Sequence, residues 1–209
     1  LAEIEPKDIH RYLALPNCFV WVALLDRDDG ALELMQAEFD LHPLAVEDAK
    51  HGHQRPKIEE FDESLFAVLH LLEPENGDLR VGEVNVFVGP NYVLTIRSHA
   101  EQGFKAVRER CEREPELLKN GSGYVLYALI DAVVDRYFPL LDAVEDELEG
   151  IEDRIFAGTA PQENVEALYA LKQKLGPRDV DRGDRLPVSV EPHRPPRRLD
   201  PGQRVRQRV

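Results

Sequence analysis

Tyr127, Ile130, Val134, Tyr137, Leu141, Val144, Leu148, Ile151 and Ile155 recur at alternating steps of three and four residues. Four uninterrupted heptads predict a long helix with one apolar seam, stable in water only when another element covers that seam. At about 1.5 Å per residue the seam spans roughly 42 Å. A domain of about 120 residues has a radius of gyration near 14 Å, so the helix is expected to project beyond it. Pro139 lies off the seam, which predicts a kink and not a break. Gly158-Thr159-Ala160-Pro161 reads as a turn, and Val165, Leu168, Leu171 and Leu175 then start a stripe that can return antiparallel. Gly176-Pro177 stops that stripe after a few turns, leaving the projecting helix half covered.

Upstream, the periodicity changes. Cys18–Leu25 reads as a buried strand and Ser64–Leu72 as a second. Val81–Val88 and Tyr92–Arg97 alternate apolar and polar residues around Gly89-Pro90-Asn91, a hairpin signal. Helices are expected over Ala31–Phe39, from Pro43 to about Lys50, and over Ala100–Glu114, with Gln54–Lys57 an extended linker. The fold class expected is α+β: an α/β/α sandwich around a mixed sheet, followed by long projecting antiparallel helices. Three segments follow: an α/β domain over 1–119, a helical hairpin with a truncated second helix over 120–176, and a Pro/Arg-rich tail over 177–209 that reads as linker-like or non-native.

Charge divides at the same place. Pro177–Val209 carries nine Arg against five acids, net +4, which leaves −18 on the first 176 residues of a chain whose total is −14. An acidic body excludes a nucleic-acid platform, which needs a cationic face. It suits a surface that attracts cations or basic partners. Two cysteines, Cys18 and Cys111, suggest free thiols in a reducing compartment. The start of the chain lacks a signal-peptide layout. The longest apolar run, Cys18–Leu25, falls short of the roughly 20 residues needed to span a bilayer. The chain alone is therefore expected to be soluble.

Candidate chemistry centres on carboxylates. Glu47 and Asp48 are adjacent on the helix opened by Pro43; their mutual repulsion is relieved by a divalent cation, and oxygen-only coordination favours Mg²⁺. Spacing alone leaves open two exposed acids on a solvated helix. His42, His51 and His53 lie close in sequence, and a Zn²⁺ site could be drawn from them, but no zinc spacing is present and surface histidines are the better reading. Asp131 and Asp135 flank the seam, and Arg154 is the only basic residue between Leu140 and Gly158 amid seven acids. No phosphate loop, Gly-x-Ser-x-Gly, His-Glu-x-x-His or Rossmann fingerprint occurs, so no enzyme activity is expected, and a metal-dependent hydrolase ranks low.

The run Leu41-His42-Pro43-Leu44-Ala45-Val46-Glu47-Asp48, then His53-Gln54-Arg55-Pro56-Lys57-Ile58-Glu59, then Val107-Arg108-Glu109-Arg110, then Tyr124 through Phe138, resembles the cytosolic domain of the CorA-type magnesium and cobalt transporters. The resemblance covers about Phe19 to Leu175. It implies a homopentameric channel at the inner or plasma membrane, with cytosolic α/β domains, paired hanging helices, a stalk helix and two membrane spans. It further implies that Mg²⁺ between neighbouring cytosolic domains holds the closed state. Residue by residue, it implies a regulatory Mg²⁺ site at Glu47, Asp48 and Asp131, with Asp135, His42, His51 and His53 as weaker metal candidates. Co²⁺ is an alternative cation, and Zn²⁺ another if the chain is a zinc-transporting relative of the same fold. The sequence departs from the family after Leu175, so transport by this chain alone is not expected.

Overall fold

The alternating residues on either side of Gly89 do form adjacent antiparallel strands, and these lie at the middle of a sheet. A computed structural model describes residues 4–26, 29–75 and 78–175; the tail expected at 177–209 lies outside them. The strands are β1 (Val20–Leu25), β2 (Lys57–Phe61), β3 (Ser64–Glu75), β4 (Asp78–Val88) and β5 (Tyr92–Ser98), in the spatial order β1-β5-β4-β3-β2. β1 runs parallel to β5 and every other pairing is antiparallel. The sheet is therefore mixed, as the fold class requires.

Successive strand residues point to opposite faces, and each face is covered by helices. Phe66, Val68, Phe87, Leu94 and Ile96 pack with Ile9 of α1 (Ile9–Leu13), Leu32, Met35 and Phe39 of α2 (Asp29–Phe39), and Ala45, Val46 and Ala49 of α3 (Pro43–His51). On the other face Ala67, Leu71, Val84, Val86 and Val93 pack with Val107 and Cys111 of α4 (Lys105–Arg113). The one-turn α5 (Pro115–Leu118) leads to α6 (Ser122–Asp135), which adds Val125, Ala128, Leu129 and Val133 to that second core. The result is the α/β/α sandwich.

Close packing is tightest where the β4–β5 turn meets Tyr92. A Cβ built on Gly89 would sit 2.1 Å from Tyr92 Cε1, and the Tyr92 ring is itself stacked on Phe39 at 4.6 Å. Gly89→Ala should therefore destabilise the fold by about 2 kcal/mol, the cost of overpacking a filled core. A thermal melt checks this, and a midpoint within error of wild type would mean that Tyr92 can move aside.

Two elements differ from the sequence reading. The first is β2, a strand that begins at Lys57, the last residue of the expected linker, and for which no expectation was made. It pairs with β3 through a two-residue turn at Asp62-Glu63, bringing Phe61 opposite Ser64. As an edge strand it keeps one face wet, and Ile58 and Glu60 are exposed while Lys57, Glu59 and Phe61 are half-buried. Its charges are what an edge strand uses to avoid pairing with another chain.

The second is the expected single kinked helix, which is two helices. α6 ends at Asp135 and α7 (Phe138–Phe156) restarts with Tyr137 as its N-cap. Pro139 lies in the first turn of α7, where its missing N–H costs nothing; inside a continuous helix its ring would strike the carbonyl of Asp135. The seam also changes meaning at this point. In α6 its members Tyr127 and Val134 are 55% and 43% exposed, while Val125, Leu129 and Val133 are buried on the sheet. α6 therefore belongs to the sandwich and buries a different stripe.

α7 pairs with α8 (Pro161–Leu175), which follows a turn at Gly158. Arg154 Nε donates to Asn164 Oδ1 and Asn164 Nδ2 donates to the Thr159 carbonyl, closing that turn. Ile151 and Leu171 are buried, whereas Leu141 and Leu175 stay more than half exposed. Val144, Leu148, Leu168, Leu171, Lys172 and Leu175 line an open apolar groove of about 410 Å³ between the pair. The half-covered seam is thus real over α7.

Polar anchors fix the start of α7. Tyr137 Oη donates to the His70 carbonyl at 2.6 Å, and Arg136 donates to the Gly103 carbonyl while lying 5.0 Å from the Phe104 ring centroid. Next to them sits one buried carboxylate. Glu73 accepts from Arg80 at 2.6 Å and from the backbone N–H groups of Glu101 and Gln102 at 3.0 and 2.8 Å. It ties the loop after β5 to the sheet.

Candidate functional site

α3 is placed by its two ends. His42 is its N-cap, with Nδ1 accepting from the Leu44 N–H at 3.3 Å, and Pro43 occupies the first helical position. Gly52 ends it at φ +62°, a conformation glycine adopts without strain. Ala45, Val46 and Ala49 face the core, so Glu47 and Asp48 emerge on the other side. Glu47 is exposed and has no ion-pair partner among the described residues; Asp48 is half-buried and faces β2.

There Lys57 Nζ lies 2.6 Å from Asp48 Oδ2 and 2.8 Å from Glu59 Oε2. Those two hydrogen bonds, Asp48 first, hold the Lys57 ammonium above its ordinary pKa. Leu44, Glu47, Asp48, Glu59, Glu60 and Phe61 line an open depression of about 560 Å³. Four carboxylates therefore line the space between α3 and the edge strand, and two of them, Asp48 and Glu59, share one ammonium. Glu59, Glu60 and Lys57 went unread in the sequence as site residues. The signal was present in the alternation of Lys57, Glu59 and Phe61, which puts them on one side of a strand.

Asp131 is elsewhere. It lies on α6, paired with Arg110 Nη1 of α4 at 2.5 Å, and its neighbours Ile130 and Ala132 pack on the face of the sheet opposite α3. The hydrogen bond to Asp131 raises the already high pKa of Arg110. One chain does not bring Asp131 together with Glu47 and Asp48. Asp135, the last residue of α6, is exposed.

The histidines do not converge either. His42 caps α3 and stacks on Phe61 at 4.3 Å, His51 bonds the Glu47 carbonyl at 2.9 Å, and His53 stacks on His99 at 6.2 Å. Among the described residues no group of three or more His, Cys, Asp or Glu gathers as metal ligands. Within one chain the three rings thus have separate partners.

Residues 17–177 match the family model described as CorA-like Mg2+ transporter protein. The chain belongs to this family. YfjQ of Bacillus subtilis is 39% identical over 153 residues, covering 73% of this chain and 45% of its own length. The cobalt/magnesium transport protein CorA of Thermotoga maritima is 34% identical over 140 residues, 66% of this chain and 40% of the relative. The CorA-family chain thus spans less than half the length of these curated relatives. Its fold matches the soluble domain of CorA from Methanocaldococcus jannaschii with a TM-score of 0.55 at 22% identity, over 83% of this chain and 66% of that one. Among the described residues no helix is long and apolar enough to cross a membrane.

The side chains that line the α3–β2 depression are carboxylates and apolar groups. Every side-chain donor in it is a carboxylate oxygen, the ligand type of Mg²⁺ and Co²⁺-tolerant oxygen sites. A cation, the ammonium of Lys57, already bridges two of those carboxylates.

Proposed function

We propose that this chain is the cytoplasmic, divalent-cation-sensing part of a CorA-family transporter of Mg²⁺ or Co²⁺. Glu47 and Asp48 would hold the cation on α3, with Asp131 supplied by a neighbouring copy in a pentameric assembly. The observation that carries the reading is the depression itself: Glu47 and Asp48 open into a space they share with Glu59 and Glu60, beside a cation partner. When bound, Mg²⁺ supplies two positive charges to an interface of otherwise repelling carboxylates. Glu47 and Asp48 then favour the closed arrangement because they are better neutralised there than in an open one, which is the condition for a ligand to shift an equilibrium. The exposed acids of α7, of which Glu147 pairs with Lys174 at 2.9 Å, raise the local cation concentration without forming a site.

A Mg²⁺ titration of thermal stability and of oligomer size tests this. The wild-type midpoint should rise with Mg²⁺ at constant ionic strength, by several degrees at saturating ion. Asp48→Ala should lose most of that rise. Identical responses from the two proteins would show that the ion acts elsewhere.

A further inference from the structure

We propose that Lys57 is a built-in competitor for the Asp48 carboxylate and sets the cation concentration at which the α3 site fills. This rests on the cation-sensing reading above. Lys57 does not reach Asp48 by chance of a flexible side chain. β2 pairing with β3 fixes its backbone opposite Val68. Its ammonium lies 5.8 Å from the centroid of the Phe66 ring, a cation–π contact. From there Nζ donates to both Asp48 Oδ2 and Glu59 Oε2.

A carboxylate oxygen has a limited set of lone pairs, and Oδ2 of Asp48 has committed one to a short charge-assisted bond. An arriving dication has to draw on the same oxygen, so Asp48 exchanges one cation for another instead of meeting an ion as a bare anion. Glu59 makes the exchange feasible. It keeps its own bond to Lys57 when Asp48 is withdrawn, so the displaced ammonium is not left unpaired. Without Lys57 the acids would repel one another at rest and take up a cation at lower concentration. With it, part of that negative charge is balanced at rest and the threshold is raised.

The test uses the full 209-residue chain, with MgCl₂ as the only variable ion at fixed ionic strength, because the Lys57–Asp48 pair is partly exposed and screened by salt. Lys57→Met removes the charge while keeping an apolar stem over Phe66. Its half-response concentration for Mg²⁺, read from the thermal midpoint, should fall roughly tenfold, the scale of one charge-assisted hydrogen bond at a half-buried position. Lys57→Arg keeps the charge but changes the donor geometry, and it should lower the half-response concentration by less than Lys57→Met does. A response that appears only in Lys57→Met supports the competitor directly. A half-response unchanged in Lys57→Met, alongside its loss in Asp48→Ala, overturns the competitor role and leaves the sensing reading standing. No response in wild type or Lys57→Met overturns both. Should Lys57→Met fail to fold by circular dichroism, Lys57→Gln carries the same comparison.

Discussion

Phe66→Ala should lower the unfolding free energy by about 4 kcal/mol, a large fraction of what a domain of this size has to lose. Phe66 is 1% exposed, near the start of β3, which pairs with β2 on one side and β4 on the other. Its ring meets Phe87 at 4.7 Å, tilted by 44°, an arrangement worth something beyond burial alone. The cavity left by truncation would be walled by β-sheet and by α2 and α3, elements joined to many neighbours and slow to collapse inward. Phe66→Leu should cost only about 1 kcal/mol, since it keeps most of the volume. Urea unfolding at equilibrium separates the two through the midpoint at unchanged slope. A loss below about 1 kcal/mol for the alanine variant would show that this face of the sheet is loosely filled.

Glu73→Ala carries the second large effect, about 3 kcal/mol. Burial by itself pushes the Glu73 carboxyl pKa up, but hydrogen bonds from the Glu101 and Gln102 backbone and from Arg80 outweigh burial and hold it below its usual value. Truncation leaves the N–H groups of Glu101 and Gln102 without their acceptor and takes from the half-buried Arg80 guanidinium its shortest ion pair, Glu75 and Glu101 remaining beside it. The pH dependence follows in sign. A carboxylate with a lower pKa folded than unfolded adds stability that is fully present above the unfolded value, near 4.3, and is lost as pH falls through the folded value. Wild type should therefore lose stability faster than Glu73→Ala below about pH 5, and the gap between them should narrow on acidification. Parallel melts from pH 7 to pH 3 measure it. A gap that stays constant across that range would mean that Glu73 contributes packing and not charge.

Most of the sandwich could be read because its strands are buried on both faces and so carry long apolar runs, as Ser64–Leu72 does. α3 could be read from both ends, with Pro43 opening it and Gly52 closing it. β2 could not: Lys57, Glu59 and Glu60 hide an edge strand, where only one side has to be half-dry. The heptad seam misled over α6 for a different reason. Its three-four spacing is present, but any helix has several such stripes, and the one bearing Val125, Leu129 and Val133 is the stripe that meets the sheet. Periodicity identifies helices; it does not say which stripe finds a partner. The same limit applied to the site. Glu47 and Asp48 are adjacent and stood out, whereas Lys57 is brought to Asp48 by β2 pairing, and Arg110 to Asp131 by α4 packing on α6. Tertiary neighbours of this kind leave no mark in local spacing.

The sheet that separates Asp48 from Asp131 has a consequence for how a sensor built from both would count. An ion that needs both carboxylates is held by two molecules, so its occupancy follows the abundance of chains as well as the abundance of ions. Diluting the protein at fixed Mg²⁺ would empty such a site just as chelation does.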